Sequence, residues 1–354
     1  MRILFVTTHA YLPQRVGGSQ LSTHDLCVEL SARGHRAAVL CDLQLQLPLD
    51  WTRFRSRVLA RLTRRPYPCD RWRPYQVYRG YGATEGVGAV TRAFCPDVAV
   101  VQSGTAVPVV EALLAQNVRT ILYFRDVEFE GLGGSIPCDP RLRFVANSRF
   151  TACRVRRAFG VDPAVVQPLV RPAAYRTAVH GRHVLFVNPL AKKGLHTAIE
   201  LARLNPDIPF VFLESWPMTA GVLEALAGLL RELSNVTFRR ATLDMAREYA
   251  QARILLVPSV WEEAWGRVVT EAHCSGIPVI ASAIGGLPES VGPGGILVPP
   301  GSPIGTWVEP LRAAWTSAAR YAEYRRRACE HARREEIQPE TLVRRLMEVM
   351  AGPW

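Results

Sequence analysis

The sequence predicts an α/β protein of two doubly wound, Rossmann-like domains. Three observations predict it. Short apolar runs alternate with segments of helical periodicity, the pattern of βα units that feed parallel sheets. The length, 354 residues, suits about two domains. The alternation restarts after Pro168-Leu169-Val170-Arg171-Pro172, where each proline biases the residue before it toward extended backbone, as in a linker. The expected division is 1–170 and 171–337. In doubly wound sheets ligands gather at the carboxyl ends of strands, where the strand order reverses. Two such domains facing each other are expected to hold an active site in the cleft between them.

Taken in order, the first half carries strand patterns at 2–7, 36–42, 97–102, 119–124 and 143–146, and the second half at 183–187, 210–213, 254–257 and 278–281. The first helical pattern ends at Arg33-Gly34-His35, where glycine suits the position past a helix that favours positive φ. The stretch 51–81 breaks the alternation: it holds nine Arg, seven aromatics and a single acid, Asp70. A helical or irregular insertion in the first domain is expected there. Three roles are open to it: lining an acceptor site, resting on an anionic membrane surface, or binding nucleic acid by charge and stacking. A solvated Arg-rich helix pair is the fourth alternative. The second Arg-rich stretch, 312–345, is expected to form solvated helix faces.

Composition excludes several classes. An apolar content of 48% is too high for a disordered chain. The eight cysteines show no C-x-x-C and no Cys/His spacing that suggests zinc, so neither a disulfide scaffold nor a zinc site is expected. The apolar start of the chain, Ile3 to Val6, is too short for a signal-peptide core. No segment approaches the ~18 apolar residues of a membrane span. A reducing cytoplasm is therefore the expected location, with peripheral contact at the inner membrane face open through 51–81. G-x-G-x-x-G is absent, which removes the main support for a nicotinamide cofactor, and no nucleic-acid fold signature is present. The net charge of +12 names no partner, but its make-up is uneven: 41 of the 43 basic residues are Arg, and the two lysines are Lys192 and Lys193.

Three places carry chemistry. Gly17-Gly18 follow the first strand and precede a helix, so their backbone can approach a ligand while the helix N-terminus favours anions. Lys192-Lys193 lie in the loop after the first strand of the second domain, with a helix starting near Leu195; a cation there is placed to neutralise a diphosphate. The densest signal is Pro258-Ser259-Val260-Trp261-Glu262-Glu263-Ala264-Trp265-Gly266-Arg267, continuing to Glu271 in a helix that opens near Gly266-Arg267. Carboxylates beside a diphosphate are electrostatically unfavourable unless they accept hydrogen bonds from neutral hydroxyls. The combination implies a nucleotide-sugar. Gly285-Gly286 then form a second turn able to approach the ligand.

The E-x(7)-E spacing from Glu263 to Glu271, followed by SGIPVIAS and GGLPE, resembles the family-four glycosyltransferases, retaining enzymes of GT-B fold. Gly17-Gly18, RGH at 33–35 and VANSRFTA at 145–152 agree. The resemblance covers most of the chain apart from about 45–95 and the far C-terminus. It implies that the first domain takes the acceptor and the second the donor, and that a final helix, about 338–354, returns to the first domain. It implies that Glu271 bonds the ribose, that Glu263 bonds donor-sugar hydroxyls, and that Lys193 contacts the diphosphate. Gly18 would offer its backbone to the phosphates, and Ala264, Trp265 and Gly266 would line the sugar site. Arg240, in Thr237-Phe238-Arg239-Arg240, would lie where the family reads the base.

Two departures stand out. The family's Arg ahead of the motif Lys is missing, since Asn188-Pro189-Leu190 occupies that stretch; Lys192 and Arg267 are the substitutes to consider. The family's first-domain His is replaced by Phe124-Arg125-Asp126, so Arg125 is the candidate for that catalytic place. His9, Asp126 and Glu128 are acceptor-side candidates, and the glycine-bearing loop from Glu130 to Pro140 is a candidate to move on acceptor binding. His24 and His273 are expected to be packing residues. No D-x-D occurs, so neither a bound metal nor another cofactor is expected; the nucleotide-sugar is a co-substrate. The resemblance further implies front-face attack, with the leaving phosphate accepting the acceptor's proton. The alternatives are other nucleotide-sugar chemistry such as epimerisation, or a basic nucleic-acid-binding or scaffold protein.

Overall fold

The computed structural model describes residues 1–43, 69–72, 74–80 and 82–352. The chain divides into two compact units, Met1–Leu169 with Pro339–Trp354, and Val170–Gln338. The division falls inside the Pro168–Pro172 linker.

Unit 1 contains β1 (Arg2–Ala10), α1 (Gly18–Ala32), β2 (Arg36–Asp42), β3 (Cys69–Trp72), β4 (Tyr75–Gly80), α2 (Ala83–Phe94), β5 (Val98–Gln102), α3 (Ala106–Ala115), β6 (Arg119–Phe124), β7 (Leu142–Ala146), α4 (Arg149–Phe159) and β8 (Ala164–Val165). Its sheet runs β3-β4-β2-β1-β5-β6-β7-β8, with only the β3–β4 pair antiparallel. The strands are apolar on both faces because both are covered. In β1, Ile3 and Phe5 face one core with Leu26 and Leu30 of α1, while Leu4 and Val6 face the other with Val87 and Val110. The chain's last helix, α12 (Pro339–Ala351), completes the first of these cores through Leu342, Val343, Leu346 and Met350, all at or below 2% exposure. Arg143 Nη1 of β7 also donates to the Val349 carbonyl at 2.5 Å.

The expectation of helix or irregular chain over 51–81 is corrected in its second part. Residues 69–72 and 75–80 are strands, with β4 parallel to β2 and antiparallel to β3. Residues 51–68, 73 and 81 lie outside the described residues. One of the tract's arginines is structural: Arg79, 3% exposed, pairs with Asp70 at 3.1 Å and donates to the carbonyls of Tyr11 and Leu12.

Unit 2 contains β9 (His183–Val187), α5 (Leu195–Leu204), β10 (Phe210–Leu213), α6 (Ala220–Leu230), β11 (Val236–Arg239), α7 (Met245–Gln251), β12 (Ala252–Val257), α8 (Arg267–His273), β13 (Val279–Ser282), α9 (Leu287–Val291), β14 (Gly295–Val298), α10 (Gly305–Thr316) and α11 (Ala318–Ala332). Its all-parallel sheet runs β11-β10-β9-β12-β13-β14. Leu185 of β9 faces the core under α7 to α9, and Val184 and Phe186 face the core under α5 and α10. β11 and β14, which the strand patterns miss, are the two edges of this sheet. The strand order reverses between β1 and β5 in unit 1 and between β9 and β12 in unit 2. The loops after β1, β9 and β12 hold Gly17-Gly18, Lys192-Lys193 and Glu263.

No helix among the described residues is long and apolar enough to cross a membrane.

Candidate active site

In unit 2 the loop after β9 is shaped by Asn188, whose φ of +61° turns the chain. Its Oδ1 accepts from the backbone N–H groups of Ser215 and Trp216 at 3.1 and 2.7 Å, tying this loop to the one after β10. A short 3-10 turn, Ala191–Lys193, then presents both lysines and ends at Gly194, φ +85°. A Cβ on Gly194 would lie 1.8 Å from the Pro258 carbonyl oxygen, so only glycine lets this loop meet the one after β12. The Lys192 carbonyl accepts from the N–H groups of Val260 and Trp261, both at 3.2 Å.

That contact brings the lysine pair to the glutamate. Lys193 Nζ lies 2.5 Å from Glu263 Oε1, and Ser259 Oγ donates to the same oxygen at 2.9 Å. The two side chains are 11% and 13% exposed. Glu263 Oε2 accepts no hydrogen bond among the described residues, and Lys193 has further donor positions. Two tryptophans flank the cations: Lys193 Nζ is 4.8 and 4.5 Å from the Trp216 and Trp261 ring centres, and Lys192 Nζ is 4.9 and 4.3 Å from them. The sequence analysis singled out neither Trp. Their signal was local, since Trp216 follows a strand end and Trp261 precedes the glutamates, but only the fold puts both rings against one charge pair.

Behind Glu263 the backbone is tightly stacked. The Gly286 N–H donates to the Glu263 carbonyl at 2.6 Å; a Cβ on Gly285 or Gly286 would fall 2.3 Å from the Glu263 oxygen or 2.2 Å from the Ala264 oxygen. Gly285-Gly286 thus approach the protein's own Glu263–Ala264 segment. Trp265, 3% exposed, donates its indole N–H to Thr270 Oγ1 at 3.0 Å and is a core residue. Gly266, φ +82°, starts α8.

Glu271 is 3% exposed. Arg267 Nε donates to its Oε1 at 2.6 Å and the Tyr249 hydroxyl to its Oε2 at 2.8 Å. Burial, and next the Glu271 charge, push the Tyr249 hydroxyl well above its usual range, which keeps it a proton donor to the carboxylate. Arg267, 7% exposed, also donates to the Tyr175 hydroxyl at 3.0 Å. Arg267, the candidate substitute cation for the diphosphate, thus directs its guanidinium at Glu271 and Tyr175. Arg240 is exposed and pairs with Glu214 Oε2 at 2.9 Å. Glu214, 2% exposed, also accepts from the N–H groups of Met218 and Ala241, so it braces the loops after β10 and β11. Sequence reasoning missed it because nothing near it marks its partners.

In unit 1, Gly17 is extended, at φ −162°, and caps α1. It is buried and Gly18 is exposed. Gly104, φ +71°, packs on the end of β1, where its Cβ would meet Thr8 Oγ1 at 2.2 Å and His9 at 3.3 Å. Burial, and next Arg15, lower the His9 pKa. Asp126 Oδ1 accepts from the Glu128 N–H at 3.3 Å, and burial raises its pKa; Glu128 itself is exposed. Arg125, the candidate for the place of the family's histidine, lies at the end of β6. It is 9% exposed, lies 3.7 Å over the Tyr123 ring, and donates to Gln102 Oε1 at 2.9 Å and Ser22 Oγ at 3.3 Å. His24 Nδ1 is 2.7 Å from the Tyr75 hydroxyl, and His273 is fully buried.

Comparison with known proteins finds relatives for part of the chain and solved structures of like fold for nearly all of it. Residues 175–334 match the model of glycosyl transferases group 1. D-inositol 3-phosphate glycosyltransferase from Mycobacterium sp. (strain KMS) is 39% identical over 136 residues, covering 36% of this chain and 30% of the relative. The protein of that name from Streptomyces bingchenggensis is 32% identical over 194 residues, covering 46% and 42%. The chain thus spans less than half the length of these curated relatives. Among solved structures, Anabaena HepE in complex with UDP and glucose aligns with a TM-score of 0.77 at 18% identity over 100% of both chains. Sucrose-phosphate synthase from Thermosynechococcus elongatus aligns with a TM-score of 0.78 at 16% identity over 99% and 98%. Residues 175–334 thus match the group 1 glycosyltransferase family, and the chain has the GT-B fold of these solved structures.

Proposed function

We propose that the chain is a retaining glycosyltransferase that moves a sugar from a nucleoside diphosphate to a hydroxyl acceptor. The observation that carries this is the Lys193–Glu263 pair at the strand-order reversal of unit 2, with Glu263 Oε2 unbonded among the described residues. Lys193 can keep Glu263 and still direct other N–H bonds at a diphosphate. Glu263 Oε2 is a ready acceptor for donor-sugar hydroxyls. Glu271, whose oxygens accept from Tyr249 and Arg267, is the carboxylate assigned to the ribose hydroxyls. As the glycosidic bond to phosphate breaks, negative charge builds on the leaving diphosphate. Lys193 and the flanking backbone N–H groups stabilise it there, where little water competes. That phosphate can take the acceptor's proton, so the step needs neither a side-chain nucleophile nor a metal. Acceptor recognition is assigned to unit 1 through His9, Asp126 and Glu128. No observation favours epimerisation or a scaffold role.

HepE has been solved with UDP and with UDP-glucose, which makes UDP-glucose the first donor to try. The experiment measures donor binding and turnover in Lys193→Ala and Glu271→Ala. Each is expected to lose about tenfold or more, since a charge-assisted bond contributes roughly 1.5–3 kcal/mol. Activity like that of the unaltered protein in both variants would remove the site assignment.

A further inference from the structure

A pocket of about 550 Å³ lies at the β11 edge of the unit 2 sheet, lined by Arg182, Arg239, Arg240, Thr242, Arg247, Glu248 and Gln251. Its volume is that of a small-molecule site, but every residue lining it is polar or charged and four are Arg, so it suits a hydrated, charged ligand and not a drug-like apolar one. Four guanidiniums face one carboxylate within it. Two are neutralised from inside the protein: Arg239 pairs with Glu248 at 2.7 Å, and Arg240 with Glu214 at 2.9 Å. Arg182 and Arg247 are exposed and form no ion pair among the described residues. Burial, and next Arg239, also lower the pKa of His183 to about 4, which agrees with a positive local field.

We propose that this pocket is a second ligand site, which takes a small polyanion bearing two or more phosphate groups. Guanidiniums present paired N–H donors that match phosphate oxygens, and several around one cavity favour several phosphates over one. Arg182 and Arg247 supply the charge that the protein leaves uncompensated. Arg239 and Arg240, each held by its glutamate, supply fixed donors on a third side. Lys193 and Glu263 do not line this pocket; Arg240, placed by the resemblance near the base, borders it, so the test varies Arg182 and Arg247 instead.

The test is calorimetric titration of the full-length protein with inorganic tripolyphosphate at about 0.15 M salt, where long-range screening is strong. Saturable binding is expected. It should weaken at least tenfold in Arg182→Ser/Arg247→Ser and in Arg247→Glu, and persist in Lys193→Ala. Circular dichroism melts of each variant check that it folds, and Arg247→Gln serves if the double variant does not. A parallel arm sediments the protein with phosphatidylinositol-phosphate vesicles. Sedimentation that tripolyphosphate competes away and the Arg variants lose identifies a lipid headgroup as the source; tripolyphosphate binding without sedimentation identifies a free anion. No binding in either arm overturns the proposal, as does binding that Lys193→Ala abolishes while the Arg variants retain it.

Discussion

The two strand-order reversals of this chain solve the same topological situation with opposite electrostatics. In unit 2 the reversal between β9 and β12 presents a cation and a carboxylate side by side, Lys193 and Glu263, backed by the Arg267–Glu271 pair. In unit 1, beside the reversal between β1 and β5, the cation at the end of β6 turns inward. Arg125 lies over Tyr123 and donates to Gln102 and Ser22, and the Gln102 amide in turn donates to Thr23 Oγ1 at 2.5 Å. One crest pairs its charges near the surface; the other uses charge to fix its own first helix. The same fold therefore does not dictate the same chemistry, which depends on where the loop side chains point.

The sharpest way to break the comparison is at glycine. In Gly194→Ala the new Cβ meets the Pro258 carbonyl at a φ of +85°, so the loops carrying Lys193 and Glu263 must separate. The expected cost is about 3 kcal/mol or more, with loss of nucleotide-sugar binding; a melt and a donor titration check it. Unaltered binding would show that the two loops need not touch. Next in size is Arg125→Met in unit 1. It leaves Gln102 and Ser22 short of a partner in the interior and should cost about 1–3 kcal/mol in urea unfolding, with donor affinity unchanged. A collapse of donor affinity without a change in stability would instead give Arg125 a role at the substrate.

Acid is expected to weigh more on unit 2, which holds the three most strongly lowered histidines. Burial, ahead of the charges of His331 and Arg334, holds His273 at about 3, and burial holds His183 and His331 at about 4. These histidines stay neutral in the folded state while the unfolded chain takes up protons below about 6.5. Their contribution is therefore present above pH 6.5 and is lost as pH falls toward their folded values. For fully buried His273 the slope is about 1.4 kcal/mol per pH unit. In unit 1, burial first and Glu85 next raise Asp42 to about 6, against the opposing Ala83 N–H bond. A raised carboxyl acts the other way, because the folded state holds the proton: this contribution is present below about 4 and lost as pH rises through 6. Melts from pH 7 to 4.5, with a hydrogen-exchange readout for each unit, should show unit 2 weakening first; equal weakening in both would count against it. The smallest effect is expected at Gly34, whose φ is +81° but whose Cβ would meet nothing within 4 Å. Gly34→Ala should cost about 1 kcal/mol, the backbone strain alone, with activity retained. A loss as large as that of Gly194→Ala would show that the contact at Pro258 is not what sets Gly194 apart.

The sequence exposed the strands whose neighbours cover both faces. β1, β2, β5, β6, β9, β10 and β12 are runs of apolar residues that can be nothing else at that length. It was poorer at edges. β11 carries Thr237 and Arg239 on a partly open face, β14 opens on Gly295, and β4 alternates Tyr, Gln, Val, Tyr, Arg inside an Arg-rich tract, so each lacks the unbroken apolar run of a central strand. The linker and Gly34 were legible because proline and glycine act through their own backbone, whatever surrounds them.

What the sequence determined by itself is the doubly wound class, the linker at 168–172, and the segments that hold Lys193, Glu263 and Glu271. These depend on local spacing and on short unbroken apolar runs, which no distant residue has to confirm. Only the tertiary structure decided what each charge faces. Lys193 meets Glu263 from 70 positions away, Trp216 and Trp261 meet across two loops, Arg267 and Arg125 turn inward, and Arg182 joins Arg247 around one pocket. An arginine reads the same in a sequence whether it is solvated, buried against a carboxylate or poised for a ligand. The difference is set by desolvation and by the partner within a few ångströms, and both are properties of the packed chain.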